Sequence, residues 1–256
     1  MEKNSFIVDQ MEVRVFKDAE ELGNAAASAI RVDLLRLIEK KGEISVMFAA
    51  APSQDTTLNA LKEYKDIPWE KVNAFHMDEY VGISSEVPQS FRNYLTRNFF
   101  SSCNFKSLNL LDAGQKNYKK VAEEYSDTLK EHGIDLIVLG IGENGHIAFN
   151  DPPEARFNEE RWTKIVKLSL ASRNQQVHDG CFLKLTDVPE YAVTVTIPAF
   201  LAATKLHCVV PGVLKAEAVR RTLEEPISEN CPASVLRTRG GVTLYIDSES
   251  ASKISR

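Results

Sequence analysis

Short apolar runs alternate along the chain with longer stretches whose apolar residues return every three or four positions, and that alternation already predicts a fold class. The runs are EVRVF (12–16), ISVMFAA (44–50), KVNAFH (71–76), IDLIVLGIG (134–142), KIVKL (164–168), AVTVTI (192–197), LHCVVP (206–211) and VTLYI (242–246). Rich in β-branched residues, they read as strands, and IDLIVLG has the continuous apolar character of a central parallel strand covered on both faces. Between them, residues 18–39 place Leu22, Ala26, Ile30, Leu34 and Ile38 four apart, with Asp18 as the expected N-cap of an amphipathic helix. Residues 54–64, 88–100, 116–132 and 213–224 carry similar stripes. Strands and helices in alternation imply right-handed β-α-β crossovers. The expectation is therefore an α/β protein: three layers, an open and mostly parallel sheet with helices on both faces, Rossmann-like but without a dinucleotide site. No low-complexity linker or repeat interrupts the pattern, so residues 1–256 are expected to form one domain.

In open sheets of this kind ligands bind outside the carboxyl ends of the strands, near the point where strand order reverses. Three polar segments leave predicted strands at that edge: AAAPSQDTT after the second, HMDEYVG after the third and GIGENGHIAFN after the fourth. In the last, Gly140, Gly142 and Gly145 lack the G-x-G-x-x-G spacing, and no Walker lysine follows. A sharp turn accounts for these glycines. It does not account for His146, flanked by Asn144, Asn150 and Asp151, because an imidazole at the ligand edge can exchange a proton near neutral pH while a carboxylate fixes its tautomer. A lone histidine is more often structural, and its position raises the functional reading above that one. In HMDEYVG, a solvated acidic loop competes on equal terms with a general base, one of Asp78 and Glu79 facing the cleft while the other points away.

The segment VPGVLKAEAVRR runs from a strand into a helix with Lys215 in its first turn, against the usual preference for acids there. A surface lysine is the ordinary alternative; an anion shared by Lys215 and the helix end explains the placement better. Ser53 and Gln54 can complete such an anion site with a hydroxyl and backbone N–H groups. The formal charge of −5 is spread without long like-charged runs, which argues against nucleic acid but leaves small anions as ligands. No H-x-x-x-H, H-E-x-x-H or G-x-S-x-G occurs, so neither a metal nor a serine nucleophile is expected, nor any cofactor. The four cysteines form no C-x-x-C pair, and no apolar stretch approaches eighteen residues. Reduced thiols, no membrane and a cytoplasmic location are the expectations.

The segments FHMDEYVGISSEVPQSFRNYLTRNFF (75–100) and GIGENGHIAFNDP (140–152) resemble the glucosamine-6-phosphate deaminase (isomerase) family, within the glucosamine-6-phosphate isomerase/6-phosphogluconolactonase superfamily. Its members carry F-x-M-D-E-Y-V-G and G-x-G-x-D-G-H-I-A-F-N-E, and the likeness extends from about residue 12 to 247. The lactonases share the D-G-H but lack M-D-E-Y, so IAFN favours the deaminase branch. The resemblance implies an enzyme, a deaminase/isomerase-like hydrolase that converts glucosamine 6-phosphate to fructose 6-phosphate and ammonia. It implies that Asp78 moves a proton between C1 and C2, that His146 assists ring opening with Asp151 behind it, and that Lys215 and the Ser53 turn hold the phosphate. Three departures stand out: Asn144 replaces the acid two residues before the histidine, the phosphate turn reads AAAPSQ, and the family's phosphate-binding arginine has no counterpart. Arg173 and His178 are the candidates for its place. Hydrolysis of a sugar-phosphate lactone and a non-catalytic sugar-phosphate sensor are the alternatives. The expected partner is a small sugar phosphate, and association into a homo-oligomer is left open.

Overall fold

The computed structural model describes residues 4–114 and 116–255. In chain order its elements are β1 (Asn4–Val8), β2 (Met11–Phe16), α1 (Ala19–Lys41), β3 (Ile44–Phe48), α2 (Asp55–Glu63), β4 (Val72–His76), β5 (Asp78–Tyr80), α3 (Phe91–Asn98), β6 (Ser107–Asn109), α4 (Tyr118–His132), β7 (Leu136–Leu139), β8 (Thr163–Lys167), α5 (Leu170–His178), β9 (Tyr191–Val195), α6 (Ile197–Ala202), β10 (Lys205–Val210), α7 (Ala216–Glu224) and β11 (Val242–Asp247), joined by short 3-10 turns. Eight strands form the main sheet in the order β1-β2-β11-β10-β7-β3-β4-β6. All its pairs are parallel except β1 with β2 at one edge.

The strand period of two divides the core between the faces of this sheet. Val46 and Phe48 of β3 and Leu136 and Val138 of β7 point to one face, where they pack with α1, α2 and α3. Met47, Ile137 and Leu139 point to the other and pack with α4, α6 and α7. Helix α1 shows what holds such a layer. Asp18 caps it, accepting the Glu21 N–H at 2.9 Å, a contact worth about 1 kcal/mol. The five spaced apolar residues are all buried, and each large aliphatic one contributes about 1.5–3 kcal/mol. Its apolar face therefore outweighs its cap.

The expectation that KIVKL and AVTVTI lie in the parallel sheet is corrected. As β8 and β9 they join β5 in a separate three-stranded antiparallel sheet, in the order β5-β9-β8. Only residues 196–204 separate β9 from β10, fewer than the dozen or so that a parallel crossover requires. Segment 78–80, expected to be a loop, is the third strand of this sheet.

The chain winds from β3 outward through β4 to β6, then returns to the other side of β3 with β7 and continues through β10 to β11. Strand order thus reverses between β3 and β7, and the polar segments gather at that point.

Candidate active site

A cleft of about 510 Å³, its open mouth included, lies over the carboxyl ends of four neighbouring strands, β10, β7, β3 and β4. Ser53, Gln54, Asp78, His146 and Lys215 all line it. Residues separated by as many as 162 positions in sequence therefore share one wall-to-wall space.

The three glycines after β7 have separate reasons to be there. At Gly145 the backbone turns through φ of +89°, and a Cβ would also come within 2.7 Å of Cys231 Sγ. At Gly142 a Cβ would fall inside the imidazole of His146, which lies flat against this residue. Gly140 leaves room for the amide of Gln54, 2.9 Å from where its Cβ would stand. The turn is fastened from a distance. Ala233 N–H donates to Gly145 O at 2.9 Å, and Arg221 Nη1 from α7 donates to Asn144 O at 3.2 Å. Beyond the histidine, Ala148 takes a φ of +47°, unusual for a residue with a side chain. Bonds on either side impose it: Phe149 N–H donates to Thr194 Oγ1 at 3.0 Å, and buried Asn150 donates to Ile147 O and Val195 O.

His146 is nearly buried, and its Nδ1 faces Asn144 Oδ1 at 2.7 Å and Asp151 Oδ1 at 3.0 Å. Acceptors on that side assign the proton to Nδ1 and leave Nε2 as the proton-exchanging atom. Asn144 Nδ2 donates to Asp151 Oδ1 at 2.8 Å, which fixes the orientation of the amide. Burial pushes the Asp151 carboxyl upward, but the positive charge His146 carries when protonated and hydrogen bonds from His146, Asn144 and Ser172 outweigh it, so its pKa falls below the usual carboxylate range.

Asp78 and Glu79 diverge because successive strand residues face opposite ways. Asp78 enters the cleft. Glu79 turns to the start of α3, where Oε2 accepts Ser90 Oγ at 2.7 Å and the Arg92 N–H at 3.0 Å, and Oε1 accepts the Tyr80 and Phe91 N–H groups. Burial, then the neighbouring Glu79 charge, raises the Asp78 pKa well above its ordinary 3.8. The native state then binds more protons than the unfolded chain between about 3.8 and the raised value, so this group's contribution to stability is complete below that window and is lost as pH rises through it. In urea titrations at stepped pH, Asp78→Asn should flatten that decline relative to wild type; an unchanged slope would contradict the assignment of the decline to Asp78.

Lys215 is 7% exposed, and its ammonium has no hydrogen-bond partner among the described residues. Burial lowers its pKa, with Asp179 and Glu143 acting in the opposite sense. A nearly buried, unpaired cation lining a cleft calls for an anion. Gln54 is fully buried and spends Nε2 on Val209 O at 3.1 Å and Ser53 Oγ at 3.2 Å, so it ties the turn to β10 and leaves the hydroxyl of Ser53 to the cleft.

Two candidates lie outside this arrangement. Arg173 gives its guanidinium to Leu185 O at 2.9 Å and Val188 O at 2.8 Å, which holds the 3-10 turn after α5. His178, half exposed, stands 3.4 Å from Glu143 Oε1. Neither lines the cleft. Three residues of α5 not singled out by the sequence do contribute. Gln175 and Gln176 form part of its wall, Gln176 accepting the Tyr80 hydroxyl at 2.7 Å, and Ser172 reaches Asp151 from behind. Ser169, three residues earlier, marks the helix start, its hydroxyl accepting the Ser172 N–H at 3.0 Å as an N-cap, but nothing in the sequence marks the reach of Ser172 to Asp151. Among the described residues no helix is long and apolar enough to cross a membrane, and no group of three or more His, Cys, Asp or Glu is placed to hold a metal ion.

Residues 17–245 match the family model described as glucosamine-6-phosphate isomerases/6-phosphogluconolactonase. The glucosamine-6-phosphate deaminase of Listeria monocytogenes serotype 4a (strain HCC23) is 34% identical over 221 residues, 85% of this chain and 92% of that one. The solved structure of a monomeric glucosamine-6-phosphate deaminase superposes with a TM-score of 0.86 at 28% identity, covering 94% of this chain and 98% of its own. The 6-phosphogluconolactonase of Trypanosoma brucei has a TM-score of 0.79 at 18% identity, covering 95% and 98%, a likeness of fold alone. The hydrolase class expected from the sequence has only such distant lactonases behind it, and the relatives speak for isomerase and deaminase chemistry instead.

Proposed function

Because the chain belongs to the family of glucosamine-6-phosphate isomerases and 6-phosphogluconolactonases, we propose that it is an enzyme that isomerises and deaminates glucosamine 6-phosphate, giving fructose 6-phosphate and ammonia. The observation that carries this reading is the meeting, in one cleft, of a buried carboxylate, an imidazole with Nδ1 tied down and an unpaired lysine.

The phosphate sits against Lys215 and the Ser53 hydroxyl, which places the sugar between Asp78 and His146. His146 Nε2 takes the proton of the C1 hydroxyl and returns it to the ring oxygen, opening the ring; the Asp151 carboxylate steadies the transient imidazolium. Asp78, ionised, then takes the C2 proton and delivers it to C1. As an N–H proton of the amino group passes to the C1 oxygen, the aldose becomes a C2 imine with a C1 hydroxyl; water adds at C2, and the C2 hydroxyl proton passes to nitrogen as ammonia leaves and the ketose forms. A carboxylate with a raised pKa suits this step, because it is a stronger base toward the C2 proton than an exposed one and holds that proton until C1 is ready to receive it.

The test is a screen of hexosamine 6-phosphates for ammonia. Release from glucosamine 6-phosphate supports the reading, and no release from any of them rejects it. In the same assay Lys215→Met should raise KM by about 10- to 100-fold, the loss expected for one hydrogen bond between charged groups, with a smaller effect on kcat. A KM unchanged in Lys215→Met would remove the phosphate from this lysine.

A further inference from the structure

Behind His146 stands a hydroxyl whose position goes beyond the roles given above. Ser172 is the third residue of α5 and 1% exposed. Its Oγ donates to Asp151 at 2.7 Å from each carboxylate oxygen and lies 3.1 Å from His146 Nδ1. The two oxygens of Asp151 are not equivalent. Oδ1 also receives Asn144 Nδ2 and faces the imidazole, whereas among the described residues Oδ2 has Ser172 as its hydrogen-bond partner and no other. The Nδ1 proton therefore meets three oxygens, at 2.7, 3.0 and 3.1 Å, on three different side chains.

We propose that Ser172 is a positioning residue for the reaction: its hydroxyl pins the Asp151 carboxylate against His146, so that the proton stays on Nδ1 and Nε2 stays free toward the cleft. The inference rests on the role assigned to His146 under the proposed function. Its physical basis is that the terminal torsion of a carboxylate is soft, and a buried carboxylate oxygen without a donor is costly. Without Ser172, Asp151 can lower that cost only by rotating Oδ2 toward another donor, which draws Oδ1 away from the imidazole. Asn144 cannot compensate, because its amide supplies one N–H to Oδ1 and carries no charge of its own. The backbone of Ser172 is fixed independently by the N-cap Ser169, so the hydroxyl is presented from a rigid helix start.

Ammonia release from glucosamine 6-phosphate by Ser172→Ala and Ser172→Thr tests this. The expected result is a kcat about tenfold lower in Ser172→Ala, the order for a lost hydrogen bond to a charged group, with KM within about threefold and most of the rate restored in Ser172→Thr. A kcat in Ser172→Ala within about twofold of wild type overturns the proposal. So does an equal loss in both variants, since packing rather than the hydroxyl would then be at fault. If Ser172→Ala does not fold, Ser172→Cys, close in volume but a weaker donor, takes its place. Should wild type release no ammonia at all, the proposed function fails, and Ser172 is judged separately from the imidazole 15N spectrum. One neutral tautomer of His146 in wild type and a mixture in Ser172→Ala supports the positioning role; the same single tautomer in both overturns it.

Discussion

Asp78→Asn should lower kcat for ammonia release by about three orders of magnitude, within the range for a positioned general base, while leaving KM within a few fold. The substitution keeps shape and volume and removes only the capacity to take the C2 proton. Because the Asp78 carboxylate is buried, accepts no hydrogen bond among the described residues and stands beside a second carboxylate, losing its charge relieves repulsion. The thermal midpoint of the variant should accordingly equal or exceed that of wild type. This combination, inactive but no less stable, separates a base from a structural acid; a turnover near that of wild type would sink the assignment of Asp78 as base. Glu79→Gln should differ in kind. Its carboxylate accepts three backbone N–H groups and the hydroxyl of Ser90 at the start of α3, so its loss weakens the fold first.

Gly142→Ala is the second large effect, and it touches no ionisable group. A Cβ at this position would occupy the imidazole of His146. The ring cannot slide aside and keep its contacts, because Asn144, Asp151 and Ser172 all engage Nδ1. It must leave at least one of them, and Nε2 moves with it. A displacement on the order of 1 Å at a proton-transferring atom costs about 100-fold in rate. Since φ at Gly142 is not in the left-handed region, the methyl itself imposes no backbone strain, and the loss of stability should be small beside the loss of kcat. Steady-state kinetics and thermal unfolding of the same preparation check this; a kcat within about threefold of wild type would show that the ring does not need its present seat.

The parallel sheet was legible because its central strands are buried on both faces and their apolar runs leave no ambiguity. The amphipathic face of α1 and its cap at Asp18 were equally plain. What escaped was short or edge-like. β5 is three residues long and reads D-E-Y, polar letters that look like a loop until β9 covers them. The composition of β8 and β9 marks them as strands but does not say which sheet they join, and only the shortness of the link to β10 could have separated them from the parallel sheet. At the site, the cleft residues were legible where a motif leaves a strand, as at Ser53, Asp78, His146 and Lys215. Ser172 was not, because a serine near a helix start reads as capping. Arg173 shows how little a long side chain reveals in sequence: its charge is plain, but not that Leu185 O and Val188 O claim its guanidinium.

The fastening of the Gly142–His146 turn extends beyond its own segment. Its carbonyls are held by Arg221 and by the Ala233 N–H, and its glycine rests on Cys231, so residues some eighty positions downstream finish what β7 begins. The turn therefore has no opening motion private to itself, since to release His146 the chain must also detach the stretch from α7 to the turn before β11. During synthesis the histidine emerges well before these supports. The last third of the chain thus supplies the supports that hold this turn, and His146 with it, in place.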